Sequence, residues 1–147
     1  MTTTTNDLNK IDDIVKVLNS GVEFYEDALK KVDSPNVKSV FSKMISLKRA
    51  AVVKLQPLVV KQTGEIEDGS SFAVDARKLY TDLKGKITSD DHTYVDQLEE
   101  VEDKTLEAFR AAIEENDSIS VKETLSLLLT QAKAQHDEIK TLQEMTA

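Results

Sequence analysis

Apolar residues return at every third or fourth position through four long stretches of the chain, the spacing that 3.6 residues per turn imposes on a helix with one buried face. In the first stretch Leu8, Ile11, Val15, Leu18, Val22, Tyr25, Leu29 and Val32 keep that spacing, which predicts a helix over 8–32 capped by Asn6 or Asp7. A second stripe, Val17, Gly21, Phe24 and Ala28, runs along another side of the same helix and needs a cover, either a connecting segment or a second copy of the chain. Asp33-Ser34-Pro35-Asn36 then stops one helix and starts the next, since Ser34 suits an N-cap and Pro35 a first helical position where its missing N–H is harmless. The second helix is expected over 36–62, with Val37, Val40, Phe41, Met44, Ile45, Ala51, Val52, Leu55, Leu58 and Val59 inward, a kink at Pro57 and a C-terminal glycine at Gly64.

Residues 63–90 are too many for a tight turn and too patterned for a plain loop. Ser70 or Ser71 can cap a short helix over 71–84 with Phe72, Ala76, Leu79 and Leu83 on one side. A connection this long traverses the height of a bundle, so the helices on either side of it lie parallel. The third long helix is expected over 91–116, with Tyr94, Leu98, Val101, Thr105, Ala108, Phe109, Ala112 and Ile113 in one arc. The fourth, over 120–145, opens on a capping box from Ser120 to Glu123 and turns Val121, Leu125, Leu128, Leu129, Ala132, Ile139 and Leu142 inward, with His136 in the same arc. Two short hairpins and one long crossover make this an all-α, up-and-down four-helix bundle of ferritin-like connectivity. Residues 1–7 are expected to be a disordered start and 8–147 a single domain.

Composition narrows the function more than the fold. A net charge of −8 with no basic stripe excludes nucleic acid and speaks against an anionic membrane surface. Cysteine is absent, which removes disulfides, thiolate metal sites and cysteine nucleophiles together. No apolar run approaches the roughly 20 residues of a spanning helix, and the first residues have neither a basic nor an apolar targeting segment, so a cytoplasmic protein is expected. A glycine-rich phosphate loop, a nucleophile elbow and a His-Glu-x-x-His pair are all missing from the sequence.

Four segments in order, LNKIDDIVKVLNSGVEFYEDA, FSKMISLKRAAVVKL, LEEVEDKTLEAF and QAKAQHDEIKTLQ, resemble an uncharacterised bacterial ferritin-like family of four-helix-bundle proteins, over Leu8 to Gln143. The resemblance implies a ferritin-like bundle and a bacterial origin, and brings no activity with it.

Polar residues on the inward arcs are where chemistry would lie. Glu102 falls inside the arc of the third helix, where an unpaired buried carboxylate costs several kcal/mol. Ferritin-like di-iron proteins place one Glu on each of two helices and Glu-x-x-His on each of the other two. This chain departs from that set, with Lys48-Arg49-Ala50-Ala51 on the second helix, Lys133 three residues before His136, and Leu18 and Asn19 at the matching level of the first. Only Glu102 and His136 match.

Lys48, Glu102 and His136 come out at similar heights, which leads to the expectation of a polar cluster at mid-bundle in which the ammonium takes the place of a metal cation. The competing reading is snorkelling, with the Lys48 stem packed and its head in water. The function expected is a non-enzymatic bundle used for interaction or stress protection, without a cofactor and as a homodimer through Val17, Gly21, Phe24 and Ala28. The alternative is a residual metal-dependent oxidoreductase or metal carrier holding iron or manganese with Glu102, His136 and Glu26 or Glu23. His92 and the acidic group of Glu99, Glu100 and Asp103 read as solvated.

Overall fold

A computed structural model describes residues 2–65, 67, 69 and 90–147, and the side chains of all of these except 2–10, 62 and 63. Four helices account for nearly all of them: α1 Thr2–Leu29, α2 Pro35–Thr63, α3 Asp91–Glu115 and α4 Ile119–Thr146. The short helix expected over 71–84 lies outside the described residues. No described helix is long and apolar enough to cross a membrane.

The chain's stop and start signals act largely as their chemistry requires. Ser34 Oγ accepts from the Val37 N–H, Pro35 opens α2, and Gly64 closes it with φ +83°, its N–H donating to the Val60 carbonyl at 2.8 Å. Among the described residues that left-handed backbone is the one place where glycine is conformationally required. Helix α2 runs unbroken through Pro57.

Two termini differ from expectation. Helix α1 begins at Thr2 rather than at an Asn6 or Asp7 cap, because apolar spacing marks one face of a helix and not the residue at which its backbone hydrogen bonding starts. The cap of α4 is Ser118, not Ser120: Ser118 Oγ accepts from the Val121 N–H and its carbonyl accepts from Lys122 at 3.0 Å, which leaves Ser120 inside the helix.

Hydrogen bonds between helix ends fix the directions. The Asp91 carboxylate accepts from the Asp33 and Ser34 N–H groups, both at 2.9 Å, so α2 and α3 start side by side and run parallel. At the same end His92 Nδ1 lies 3.0 Å from the Thr146 hydroxyl, which makes α4 antiparallel to α3 and leaves His92 half-buried rather than solvated. Helix α1 packs closely on α2 and α3, α3 packs on α4, and α2 touches α4 only sparsely.

Each helix presents a seam with the alternating three-and-four spacing of knobs-into-holes packing. On α1 the seam runs Ile11, Ile14, Leu18, Gly21, Tyr25, Ala28; on α2, Val37, Phe41, Met44, Lys48, Ala51, Leu55; on α3, Val95, Leu98, Glu102, Thr105, Phe109, Ala112; on α4, Val121, Leu125, Leu128, Ala132, Gln135, Ile139, Leu142. Lys48, Glu102 and Gln135 are buried with Gly21 at one level of the bundle. This level divides the apolar core into two clusters, one around Tyr25, Phe41 and Leu98 and the other around Leu55, Phe109 and Leu125.

Candidate functional site

At this level three helices supply one hydrogen-bonded network. Lys48 on α2 and Glu102 on α3 have no exposed side-chain surface, and Lys48 Nζ lies 2.9 and 3.0 Å from the two carboxylate oxygens. Snorkelling is thereby excluded for Lys48. Tyr25 on α1 donates its hydroxyl to Glu102 Oε2 at 2.6 Å, a short charge-assisted bond, and its ring lies 5.7 Å from the Lys48 ammonium. Phe41 packs edge-on against the same ring at 5.4 Å, which holds the phenol in place. Burial, and after it the charge of Glu102 and the hydrogen bond to it, push the Tyr25 phenol well above its ordinary pKa, with Glu138 adding to the effect. Tyr25 is therefore a neutral donor at any physiological pH.

Gly21 explains how a lysine fits here. A Cβ at this position would lie 3.1 Å from Lys48 Cδ and 3.2 Å from Cε, tighter than ordinary van der Waals contact. The absent side chain is the channel through which the lysine stem crosses α1. Gly21 and Ala28 are buried within the chain and Phe24 packs partly against its core, so the stripe read as a subunit interface is largely covered by the chain's own helices. The physical reason is that α1 touches both α2 and α3 and so buries two sides.

His136 does not join this network. The seam of α4 passes through Gln135, one residue earlier, and the roughly 100° step per residue turns His136 to the α3–α4 boundary. There its Nε2 lies 2.9 Å from Asp103 Oδ1 and 3.3 Å from Glu99 Oε1, and its Nδ1 lies 3.4 Å from Asp137 Oδ1. Glu99, Asp103 and His136 each bring one ligand-type atom within 4.8 Å of the others. The sequence reading had left Glu99 and Asp103 to solvent; the signal for this grouping was the i, i+4 spacing of two carboxylates on α3 facing a histidine on α4.

The remaining expected ligands are elsewhere. Glu26 is paired with Arg49 at 2.7 Å on the surface, and Glu23 lines an open cleft of 510 Å³ between α1 and α2 with Asn19, Arg49 and Gln56. The structure thus brings Lys48 and Glu102 together, adds Tyr25, and leaves His136, Glu26 and Glu23 apart from them.

Residues 6–115, which span α1 to α3 and hold all three members of the buried network, match the model of a domain of unknown function, DUF2383. The chain belongs to the DUF2383 family. No curated protein matches the sequence. Among solved structures, a conserved hypothetical protein, rv2844, from Mycobacterium tuberculosis shares the fold at TM-score 0.76 and 12% identity, over 97% of this chain and 93% of the other. CopM in its Cu(II)-bound form is similar at TM-score 0.73 and 10% identity, over 96% and 97% of the two chains. At these identities the likeness shows the fold alone, an all-α bundle.

Inside this DUF2383 bundle the buried level does not fit a pair of metal ions. Two hard cations need several bridging carboxylates, and here one carboxylate is already neutralised by an ammonium that would repel an incoming dication. Thr105, the seam residue next to Glu102, donates its hydroxyl to the Val101 carbonyl and adds no ligand charge. The arrangement ties α1, α2 and α3 together at one height.

Proposed function

We propose that this protein is a non-enzymatic, ferritin-like bundle of bacterial type, acting in interaction or stress protection, in which a salt bridge occupies the level where ferritin-like proteins hold two metals. One observation carries this reading: Lys48 and Glu102 are fully buried on each other, with Tyr25 occupying a further acceptor site on the carboxylate. A closed ion pair has neither an open coordination position nor a water path, both of which metal catalysis requires. Against the alternative, iron or manganese held by Glu102 and His136, stands their separation: Glu102 is paired with Lys48 inside the bundle, while His136 on α4 faces Glu99 and Asp103.

The test is metal analysis of protein purified without chelator and then equilibrated with ferrous iron and with manganese. The expected result is no two-metal stoichiometry in the wild type, and none in His136→Gln. Two iron or manganese ions per chain, retained in His136→Gln, would overturn the closed centre.

A further inference from the structure

A second polar group lies at the same height as the buried level, on the α3–α4 boundary, and the role proposed above makes no use of it. Glu99 and Asp103 are one helical turn apart on α3 and point at His136 across the boundary. The side chains of His136 and Glu99 are 16% and 19% exposed and that of Asp103 is 51% exposed, so two ligand groups are held by packing while the third opens to water. All three stand on long helices rather than loops, which favours a fixed geometry. Among the described residues His136 is the one basic side chain in contact with both Glu99 and Asp103, in a chain of net charge −8.

We propose that Glu99, Asp103 and His136 form a surface site for a single divalent first-row transition metal, Cu(II) or Zn(II), with the fourth position open to solvent. The donor set is one imidazole and two carboxylate oxygens, which suits borderline cations; the absence of cysteine removes competing soft thiolates. Size agrees as well. Ligands about 2.0–2.1 Å from a tetrahedral ion stand about 3.3 Å from one another, and Nε2 already lies 3.3 Å from Glu99 and 2.9 Å from Asp103. Admitting an ion needs Nε2 to draw back from Asp103 by a few tenths of an ångström, to about the 3.3 Å spacing of tetrahedral ligands, with any Nε2 proton released to solvent.

An independent feature points the same way. Asp137 Oδ1 lies 3.4 Å from the other ring nitrogen, Nδ1, the position from which a second carboxylate orients a metal-bound histidine and leaves the Nε2 lone pair for the metal. This site is separate from the buried pair, and the closed centre does not depend on it.

The test uses the full chain, stripped of metal and titrated with Cu(II) and with Zn(II) by calorimetry, beside His136→Gln, Glu99→Gln/Asp103→Asn and, as a control, His92→Gln. Circular dichroism verifies that each variant is folded. One ion per wild-type chain is expected, with affinity reduced by about tenfold or more in His136→Gln and in the double variant, and unchanged in His92→Gln. Electron paramagnetic resonance of the Cu(II) form is expected to show coupling to one imidazole nitrogen that disappears in His136→Gln. Absence of binding at millimolar metal, or binding equally strong in His136→Gln, would overturn the proposal. Neither result would disturb the closed centre, which a two-metal stoichiometry surviving His136→Gln contradicts.

Discussion

Glu102 and Asp103 are adjacent in sequence, yet they belong to opposite kinds of site. Glu102 faces the bundle axis, where water is excluded and its counter-charge is a lysine from α2. Asp103 faces the α3–α4 boundary, where water is present and its partner is a histidine from α4. One residue along a helix turns the side chain by about 100°, enough to change the dielectric around a carboxylate from that of a protein interior to nearly that of solvent. Coulomb attraction scales inversely with that dielectric. The inner carboxylate therefore has its cation built into the chain, while the outer carboxylates can take theirs from solution.

The largest expected effect is at the inner pair. Lys48→Met removes the ammonium and leaves Glu102 buried without a counter-charge, which should destabilise the fold by about 3–5 kcal/mol in urea unfolding. A loss below about 1 kcal/mol would place the pair energetically on the surface, where exposed ion pairs contribute that little.

Tyr25→Phe comes next. It keeps the ring packing on Phe41 and deletes a 2.6 Å hydrogen bond to a charged acceptor, so a loss of about 1.5–3 kcal/mol is expected. The pH dependence follows from the raised phenol pKa. The folded chain keeps the Tyr25 proton at pH values where the unfolded chain has released it. That contribution is constant below the unfolded value of about 10 and falls as pH rises above it. Wild type should therefore lose stability more steeply than Tyr25→Phe above about pH 10, and the two curves should run parallel between pH 7 and 9.

Gly21→Ala sharpens the steric side of the comparison. Alanine is a better helix former than glycine by about 1 kcal/mol, but its Cβ would press on a lysine stem whose head is held by Glu102. In the wild-type background the substitution should be neutral to destabilising. In a Lys48→Ala background, where the stem is gone, it should stabilise by about 1 kcal/mol. Equal effects in both backgrounds would show that Gly21 is not the lysine channel.

The smallest effect belongs to the outer site. His136→Gln should change stability by less than about 1 kcal/mol without metal, because its partners are partly exposed. Chemical denaturation in chelator measures this, and a loss as large as that of Lys48→Met would erase the distinction between the two sites.

The sequence made the helices legible because their punctuation is local: Ser34-Pro35 and Gly64 each act through their own backbone neighbourhood. The meeting of Lys48 and Glu102 was legible too, since both sit on seams and their heights can be counted from helix starts. His136 was misplaced because a broad apolar arc admits either residue 135 or 136, and only the strict three-and-four alternation selects Gln135. Tyr25 was counted as apolar core, since its spacing says where the ring goes and nothing about which carboxylate meets its hydroxyl. Gly21 read as a small residue on a surface stripe because its role is an absence of atoms, visible only once the neighbouring lysine is in place. Ser120 was preferred to Ser118 as a cap because the Ser-x-x-Glu pattern is satisfied there on paper, while packing starts the helix earlier.

The central claim, that Lys48 and Glu102 act as one closed unit, is tested most directly by a double-mutant cycle of Lys48→Met and Glu102→Leu read by urea unfolding. Each single variant should lose about 3–5 kcal/mol, while the double variant, with no buried charge left, should return to near wild-type stability or exceed it. Additive losses in the double variant would contradict the account.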